Sequence, residues 1–199
     1  MPHIIKLNIS YSKQLAEIHK NAFPGFFLTE LGPKVLEIFY TSLMRDSNSI
    51  VWGVTKDNVL AGFFAATKNS NGLYLRIFIK NIYRFFIPLT LSFIRNPILL
   101  RKMIISFKSS SDHNVPKNCT SSLLSICVSP VFAGNGIGKL LISTLEIELI
   151  KGNIAKYYLT TDADNNDFVK EFYLKAGFCF YSNYCQGNRK MNIYLKELI

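Results

Sequence analysis

Val128-Ser129-Pro130-Val131-Phe132-Ala133-Gly134-Asn135-Gly136-Ile137-Gly138-Lys139-Leu140-Leu141 is the stretch whose reading decides the fold. An apolar run over 123–128 enters it as a buried strand. Ile137, Leu141, Leu145 and Leu149 leave it at a spacing of four, the mark of an amphipathic helix. Between strand and helix lies a turn with glycine at 134, 136 and 138. Glycines let bare N–H groups converge on a concavity, and a helix start adds about half a positive charge. The turn therefore reads as an anion cradle for a ligand that carries phosphate. Two phosphate motifs are excluded by counting. A Walker loop needs Gly, four residues, then Gly-Lys-Ser/Thr; here Ala133 replaces the first glycine and Leu140 the hydroxyl. A dinucleotide fingerprint needs Gly-x-Gly-x-x-Gly; here the third glycine, Gly138, comes one residue early.

What remains resembles the coenzyme A pyrophosphate loop of the GNAT superfamily of N-acetyltransferases: strand, Val-x-Pro, a few residues, Gln/Arg-x-x-Gly-x-Gly/Ala, helix. Val128, Pro130, Gly136 and Gly138 carry the match. Ala133 departs from it, which removes a side chain near the phosphates but no backbone donor. A second segment, Asp164-Asn165-Asn166-Asp167-Phe168-Val169-Lys170-Glu171-Phe172-Tyr173-Leu174-Lys175-Ala176-Gly177-Phe178, is similar to the family's later motif of Asn, then Phe-Tyr, then Gly-Phe. Read from its residues, this is a helix capped by Asp164 or Asn165 and ended by Gly177. Asn166, Val169 and Tyr173 share one face; Phe168 and Phe172 share another and are expected to pack on the sheet. Alone, Tyr173 reads equally as a core-edge tyrosine with a wet hydroxyl.

The resemblance implies a mixed α/β fold: a predominantly antiparallel central sheet with flanking helices, one GNAT-like acyl-CoA N-acyltransferase domain over 1–199. It implies acetyl-coenzyme A as acyl donor, no metal, and transfer of acetyl to an amine. Backbone groups of Ile126, Cys127 and Val128 would orient the acetyl-pantetheine arm, and Ala133, Gly134, Asn135, Gly136, Ile137, Gly138 and Lys139 would hold the pyrophosphate. Asn166 would touch the arm, and Tyr173 would protonate the leaving thiolate. The strand over 121–128 has no carboxylate, so the general base is open: Glu30, Asp162 and His113 are candidates, each also readable as a surface residue. The aromatic loop 23–32, with Phe26, Phe27 and Glu30, would wall the acceptor side. It is similar to the loop of members that acetylate amino sugars, so an amino sugar or a nucleotide-linked amino sugar is the expected acceptor. The alternative function is a non-catalytic module that binds coenzyme A or docks on a membrane or partner.

Composition agrees with a single domain. The 199 residues are 49% hydrophobic, enough for a core. The start lacks the apolar segment of a signal peptide, and four cysteines without a Cys-x-x-Cys pair suggest free thiols in a cytoplasmic protein without zinc. The net charge of +10 suits an anionic ligand, but no nucleic-acid module is visible. Residues 58–111 contain no Asp or Glu. Within them the run 73–111 is longer than the family's usual connection between third and fourth strands and so looks like an insertion, with helices over 73–107 broken near Pro88 and Asn96-Pro97. Arg84 and Arg95 leave only residues 85–94 uncharged between them, against roughly twenty needed to span a membrane. Three readings compete: core-facing helices with a solvated basic face, a surface for an anionic substrate, and a basic amphipathic segment in peripheral contact with a membrane. The expectation drawn from the broken apolar runs is service to the acceptor side and not membrane anchoring, with no sedimentation on anionic vesicles at physiological salt. Residues 109–118 read as a polar loop.

Overall fold

The apolar runs flanking Asp57-Asn58 pair as a hairpin in the computed structural model, which describes residues 2–109, 115 and 118–198. Asp57 and Asn58 take φ of 53° and 62°, the two-residue turn whose twist matches that of the strands it joins. The described strands are β1 (His3–Lys6), β2 (Ser49–Lys56), β3 (Val59–Thr67), β4 (Ser122–Val128), β5 (Lys156–Asp162), β6 (Cys179–Gln186) and β7 (Arg189–Glu197). They form one sheet in the order β1-β2-β3-β4-β5-β7-β6, antiparallel throughout except where β4 meets β5. This is the mixed α/β, mostly antiparallel architecture that the sequence implies.

Strand alternation divides the core between the two faces of the sheet. Phe63 enters a cluster with Leu15, Leu36 and Tyr40 from α1 (Ser12–Ala22) and α3 (Pro33–Arg45). Its neighbour Phe64 enters the opposite cluster, with Leu141 and Leu145 from α7 (Ile137–Lys151) and Tyr173 from α8 (Asp167–Lys175). Pro33 opens α3 at the position where a missing N–H costs nothing. The aromatic loop holds a short helix, α2 (Phe27–Glu30).

The expected insertion consists of α4 (Leu73–Lys80), α5 (Ile82–Arg95) and α6 (Ile98–Ser109), between β3 and β4; most of the expected loop 109–118 lies outside the described residues. The expected break at Asn96-Pro97 separates α5 from α6, but the other break is at Asn81, not Pro88. Asn81 closes α4 by donating its side-chain amide to Ile77 O at 2.9 Å. Pro88 sits inside α5. An interior proline costs about 3 kcal/mol, but Phe85 and Leu89 beside it are buried in the core, each worth roughly 1.5–3 kcal/mol, so packing carries the helix through.

Candidate active site

β4 and β5 begin as parallel neighbours and then part. Their register holds only at Ser122↔Tyr158 and Leu123↔Leu159. At that point β4 carries a bulge against β3: Ala65 opposes Ser125 and Ala66 opposes Leu123, leaving Leu124 as the extra residue. A bulge bends its strand and sharpens its twist. Beyond it β4 stays with β3 as far as Val128, while β5 stays with β7 as far as Asp162. The sheet therefore opens into a cleft between β4 and β5.

The backbone lining this cleft follows from alternation. Ser129 N–H donates to Ala61 O on β3 at 2.8 Å. Every second residue turns the same way, so Cys127 also faces β3, and the polar groups of Ile126 and Val128 face the cleft. Of the three residues expected to orient an acyl arm, two are thus presented and Cys127 is given to the ladder. The Cys127 side chain is buried, and burial pushes its thiol well above the ordinary range, which makes it a packing residue rather than a nucleophile.

Gly62 makes this close approach of strands possible. A Cβ there would lie 2.7 Å from Cys127 O, 3.3 Å from Val128 Cα and 3.3 Å from Ile137. Gly62→Ala should force β4 outward, lower stability by about 1–3 kcal/mol, and weaken any ligand held by Ile126 and Val128. Thermal melting with and without coenzyme A checks this; an unchanged melting temperature and unchanged ligand shift would show that β4 tolerates the displacement.

At the end of β4 the chain turns through Gly134 (φ 76°) and Gly136 (φ 73°) into α7. Gly136 O accepts the first helical bond, from Leu140 N–H, so the preceding N–H groups of Ile137, Gly138 and Lys139 have no helical acceptor. A Cβ at Gly134 or Gly136 would meet nothing within 4 Å, so the cradle is open. Asn135 folds back, donating to Phe132 O and Ala133 O at 3.2 and 3.3 Å, which shapes the turn from within. Gly138 serves packing: a Cβ there would press on the Phe172 ring at 3.2 Å. Lys139 is exposed, and Lys56, absent from the sequence-level set, lies 5.8 Å from the Phe132 ring beside the turn.

Across the cleft, α8 is capped by neither Asp164 nor Asn165. Asn166 holds the N-cap position without a cap bond; its amide donates to Thr161 Oγ1 at 2.7 Å and Asp162 O at 3.1 Å, tying the helix start to the end of β5. Phe168, expected to pack on the sheet, is 84% exposed, because the inward turn of α8 is already filled by Phe172 and Tyr173. The Tyr173 ring packs against Phe172 and Phe178 at 5.4 and 5.5 Å. Its hydroxyl makes no hydrogen bond to a described residue, yet it is not one of the sealed polar atoms without a partner. Burial first, and the nearby Cys127 thiol second, push its pKa well above the ordinary value. Tyr173 thus stays protonated at neutral pH as a donor within electrostatic reach of β4.

The acceptor-side candidates divide. Phe23 and Phe27 pack on the core, whereas Phe26 meets the Arg189 guanidinium at 4.3 Å. Arg189 also grips Asp162 with three hydrogen bonds of 2.7–3.0 Å, so Asp162 anchors the β6–β7 hairpin rather than standing free as a base. Glu30 pairs with Lys102 at 2.6 Å. His113 lies outside the described residues.

One polar chain escaped the sequence reading. His19 Nδ1 lies 2.6 Å from Tyr40 Oη, and Tyr40 donates onward to Ser125 Oγ on β4 at 3.4 Å. The three come from α1, α3 and β4, separated by 21 and 85 positions, so spacing could not reveal them. His19 Nε2 is buried without a partner, and burial lowers its pKa from 6.5 to about 4, so the ring is neutral at pH 7.

Comparison with known proteins bears on the fold. Residues 101–178 match the model of the acetyltransferase (GNAT) family. The PaiA N-acetyltransferase of Thermoplasma acidophilum, solved in complex with coenzyme A, superposes with a TM-score of 0.63 at 17% identity, covering 99% of both chains. The ribosomal-protein-S18-alanine N-acetyltransferase of Escherichia coli gives 0.59 at 16% identity, over 100% of this chain and 94% of that one. An N-acetyltransferase of Staphylococcus aureus Mu50 gives 0.62 at 12% identity, over 100% and 99%. At these identities the likeness is one of fold. No curated protein matches the chain by sequence.

Proposed function

We propose that the protein transfers an acetyl group from acetyl-coenzyme A to an amine, a reading supported by the match of residues 101–178 to the acetyltransferase (GNAT) family model. The observation that carries this reading is the cleft itself: β4 leaves β5 at the Leu124 bulge, presents Ile126 and Val128, and ends in an open glycine cradle at a helix N-terminus. The donor-rich cradle suits the pyrophosphate. The Ile126 and Val128 backbone suits the acyl-pantetheine arm, where an N–H near the thioester oxygen would stabilise the charge that develops as an amine attacks. Tyr173 would supply the proton to the departing thiolate, whose ordinary pKa is near 8.5.

Asp162 and Glu30 are both paired, and His113 lies outside the described residues; deprotonation of the amine by water, or attack by an amine already neutral, needs no dedicated base. An amino sugar, free or nucleotide-linked, remains the acceptor class we favour. The support is an aromatic loop edged by Arg189 over Phe26, which offers a stacking face and a cation.

Gly136→Asp tests the donor half of this reading. Aspartate tolerates positive φ better than most residues, and a Cβ at 136 meets nothing, so the fold should survive. The added carboxylate would face the pyrophosphate, and coenzyme A affinity by calorimetry should fall at least about tenfold. Gly136→Asn, of the same shape without charge, should keep most of the affinity. If Gly136→Asp binds as tightly as the parent, the cradle does not hold the phosphates. Release of free thiol from acetyl-coenzyme A across a panel of amino sugars, nucleotide amino sugars, polyamines and lysine peptides identifies the acceptor; stabilisation by coenzyme A with no turnover on any amine would favour the binding module.

A further inference from the structure

We propose that α4, α5 and α6 form a docking face for an anionic lipid bilayer, on which the protein lies without crossing it. Over half of the exposed large apolar side chains among the described residues belong to these three helices. The pattern is clearest on α5. At about 100° per residue, Tyr83, Phe86, Ile87, Thr90, Leu91 and Ile94 fall in one outward stripe about 140° wide. Tyr83, Phe86, Ile87 and Ile94 are 67–73% exposed. The opposite side buries Phe85 and Leu89 and donates from Ser92 Oγ to Leu31 O at 2.7 Å. A helix apolar all round is normally enclosed by protein or lipid; this one is covered on its inner side only.

Charge selects the occupant. Residues 58–111 carry no Asp or Glu. Arg76 and Lys102 are neutralised by Asp46 and Glu30. No described carboxylate pairs with Lys80, Arg84, Arg95 or Arg101. Arg84 and Arg95, eleven positions apart, come within about 20° of each other on one border of the α5 stripe. An apolar stripe with long cations along its edge matches acyl chains beneath anionic headgroups, where the stems lie on the apolar surface and the guanidinium groups reach the phosphates.

By length and composition, only the bent pair of α4 and α5 passes as a candidate span among the described helices. No single one is long and apolar enough; α4 and α5 meet at 99°, and the 14 residues of α5 reach about 21 Å against a hydrocarbon thickness of about 30 Å. The inner side of the insertion contacts the aromatic loop 23–32, through Ser92–Leu31 and Lys102–Glu30, which is compatible with the expected service to the acceptor side. The expectation set membrane anchoring aside because charges and prolines break the apolar runs; the exposed stripe on the outer side of α5 is the observation that argues for it.

Sedimentation with sucrose-loaded vesicles tests this without any substrate. The protein should pellet with vesicles of equal parts phosphatidylglycerol and phosphatidylcholine, poorly with phosphatidylcholine alone, and less well as salt rises and screening shortens. Arg84→Gln, Arg95→Gln and Arg101→Gln combined should weaken binding on the order of a hundredfold, at about fivefold per charge. Phe86→Ser with Ile94→Ser should weaken it at least about tenfold. Because all five side chains lie outside the cleft, melting temperature and coenzyme A affinity should stay unchanged, which separates loss of docking from loss of fold. Failure of the wild-type protein to pellet with the anionic vesicles overturns the proposal, as does pelleting that is indifferent to headgroup charge. So does a concentration-dependent dimer, dissociated by Phe86→Ser with Ile94→Ser and lacking vesicle binding, since the face would then belong to a second copy.

Discussion

Tyr173→Phe should fold, bind coenzyme A almost as the parent does, and turn over roughly ten to a thousand times more slowly. The ring is fixed by Phe172, Phe178 and Tyr194, with centroids 5.4–6.3 Å away, and phenylalanine keeps every one of those contacts. Only a hydroxyl is deleted, and no described residue hydrogen-bonds to it. Stability should therefore be unmoved, unlike the usual removal of a buried polar partner. Burial makes this phenol a weaker acid than an ordinary tyrosine, so it holds its proton through the neutral range and acts on the thiolate as a hydrogen-bond donor that yields the proton only as charge builds on sulfur. Its contribution arises only as the thiolate forms, so the loss belongs in the chemical step and not in apparent donor affinity. Single-turnover measurement of thiol release, at substrate levels where chemistry limits the rate, reads this directly. Unchanged turnover in the variant would return Tyr173 to packing. A loss confined to the Michaelis constant would make it a binding residue instead.

What could be read before the structure was local. The glycine spacing at 134, 136 and 138 and the Phe-Tyr…Gly-Phe order each lie within one strand–turn–helix or helix–turn unit, where neighbours in sequence are neighbours in space. The cleft needed more. Its cause is a bulge at Leu124, and nothing in Leu123-Leu124-Ser125 announces one, because the extra residue is defined only by the partner strand. Pro88 misled for a similar reason: proline disfavours a helix interior by itself, but Phe85 and Leu89 find burial that only the tertiary fold supplies. Phe168 misled in the other direction, since its place against the sheet was already filled by Phe172. Asp162 and Glu30 looked like candidate bases until Arg189 and Lys102, 27 and 72 positions away, were seen to hold them. In each case the missing information was a partner far along the chain.

Acidification should destabilise the protein through His19, by up to about 3 kcal/mol between pH 6.5 and pH 4. His19 is buried, with Nδ1 against Tyr40 and Nε2 unpartnered, and burial lowers its pKa from 6.5 to about 4. The sign follows from proton uptake. Between the two values the unfolded chain binds a proton that the native state refuses, so the unfolded state gains as pH falls. The contribution is fully present above pH 6.5, is lost through the window, and levels off below the folded value. Carboxylates also lose stabilising partners in acid, so the wild-type profile alone does not isolate His19. His19→Gln does: it keeps a side chain able to hydrogen-bond to Tyr40 and removes the titration. The variant should start somewhat less stable at pH 7 and lose distinctly less between pH 7 and pH 4.5 in urea titrations. Tyr40→Phe, which removes the hydroxyl but leaves His19 buried, should keep the steep acid loss of the parent. Parallel pH profiles for wild type and His19→Gln would mean that the ring reaches solvent and protonates freely. The chain from α1 to Ser125 on β4 would then be open at its far end.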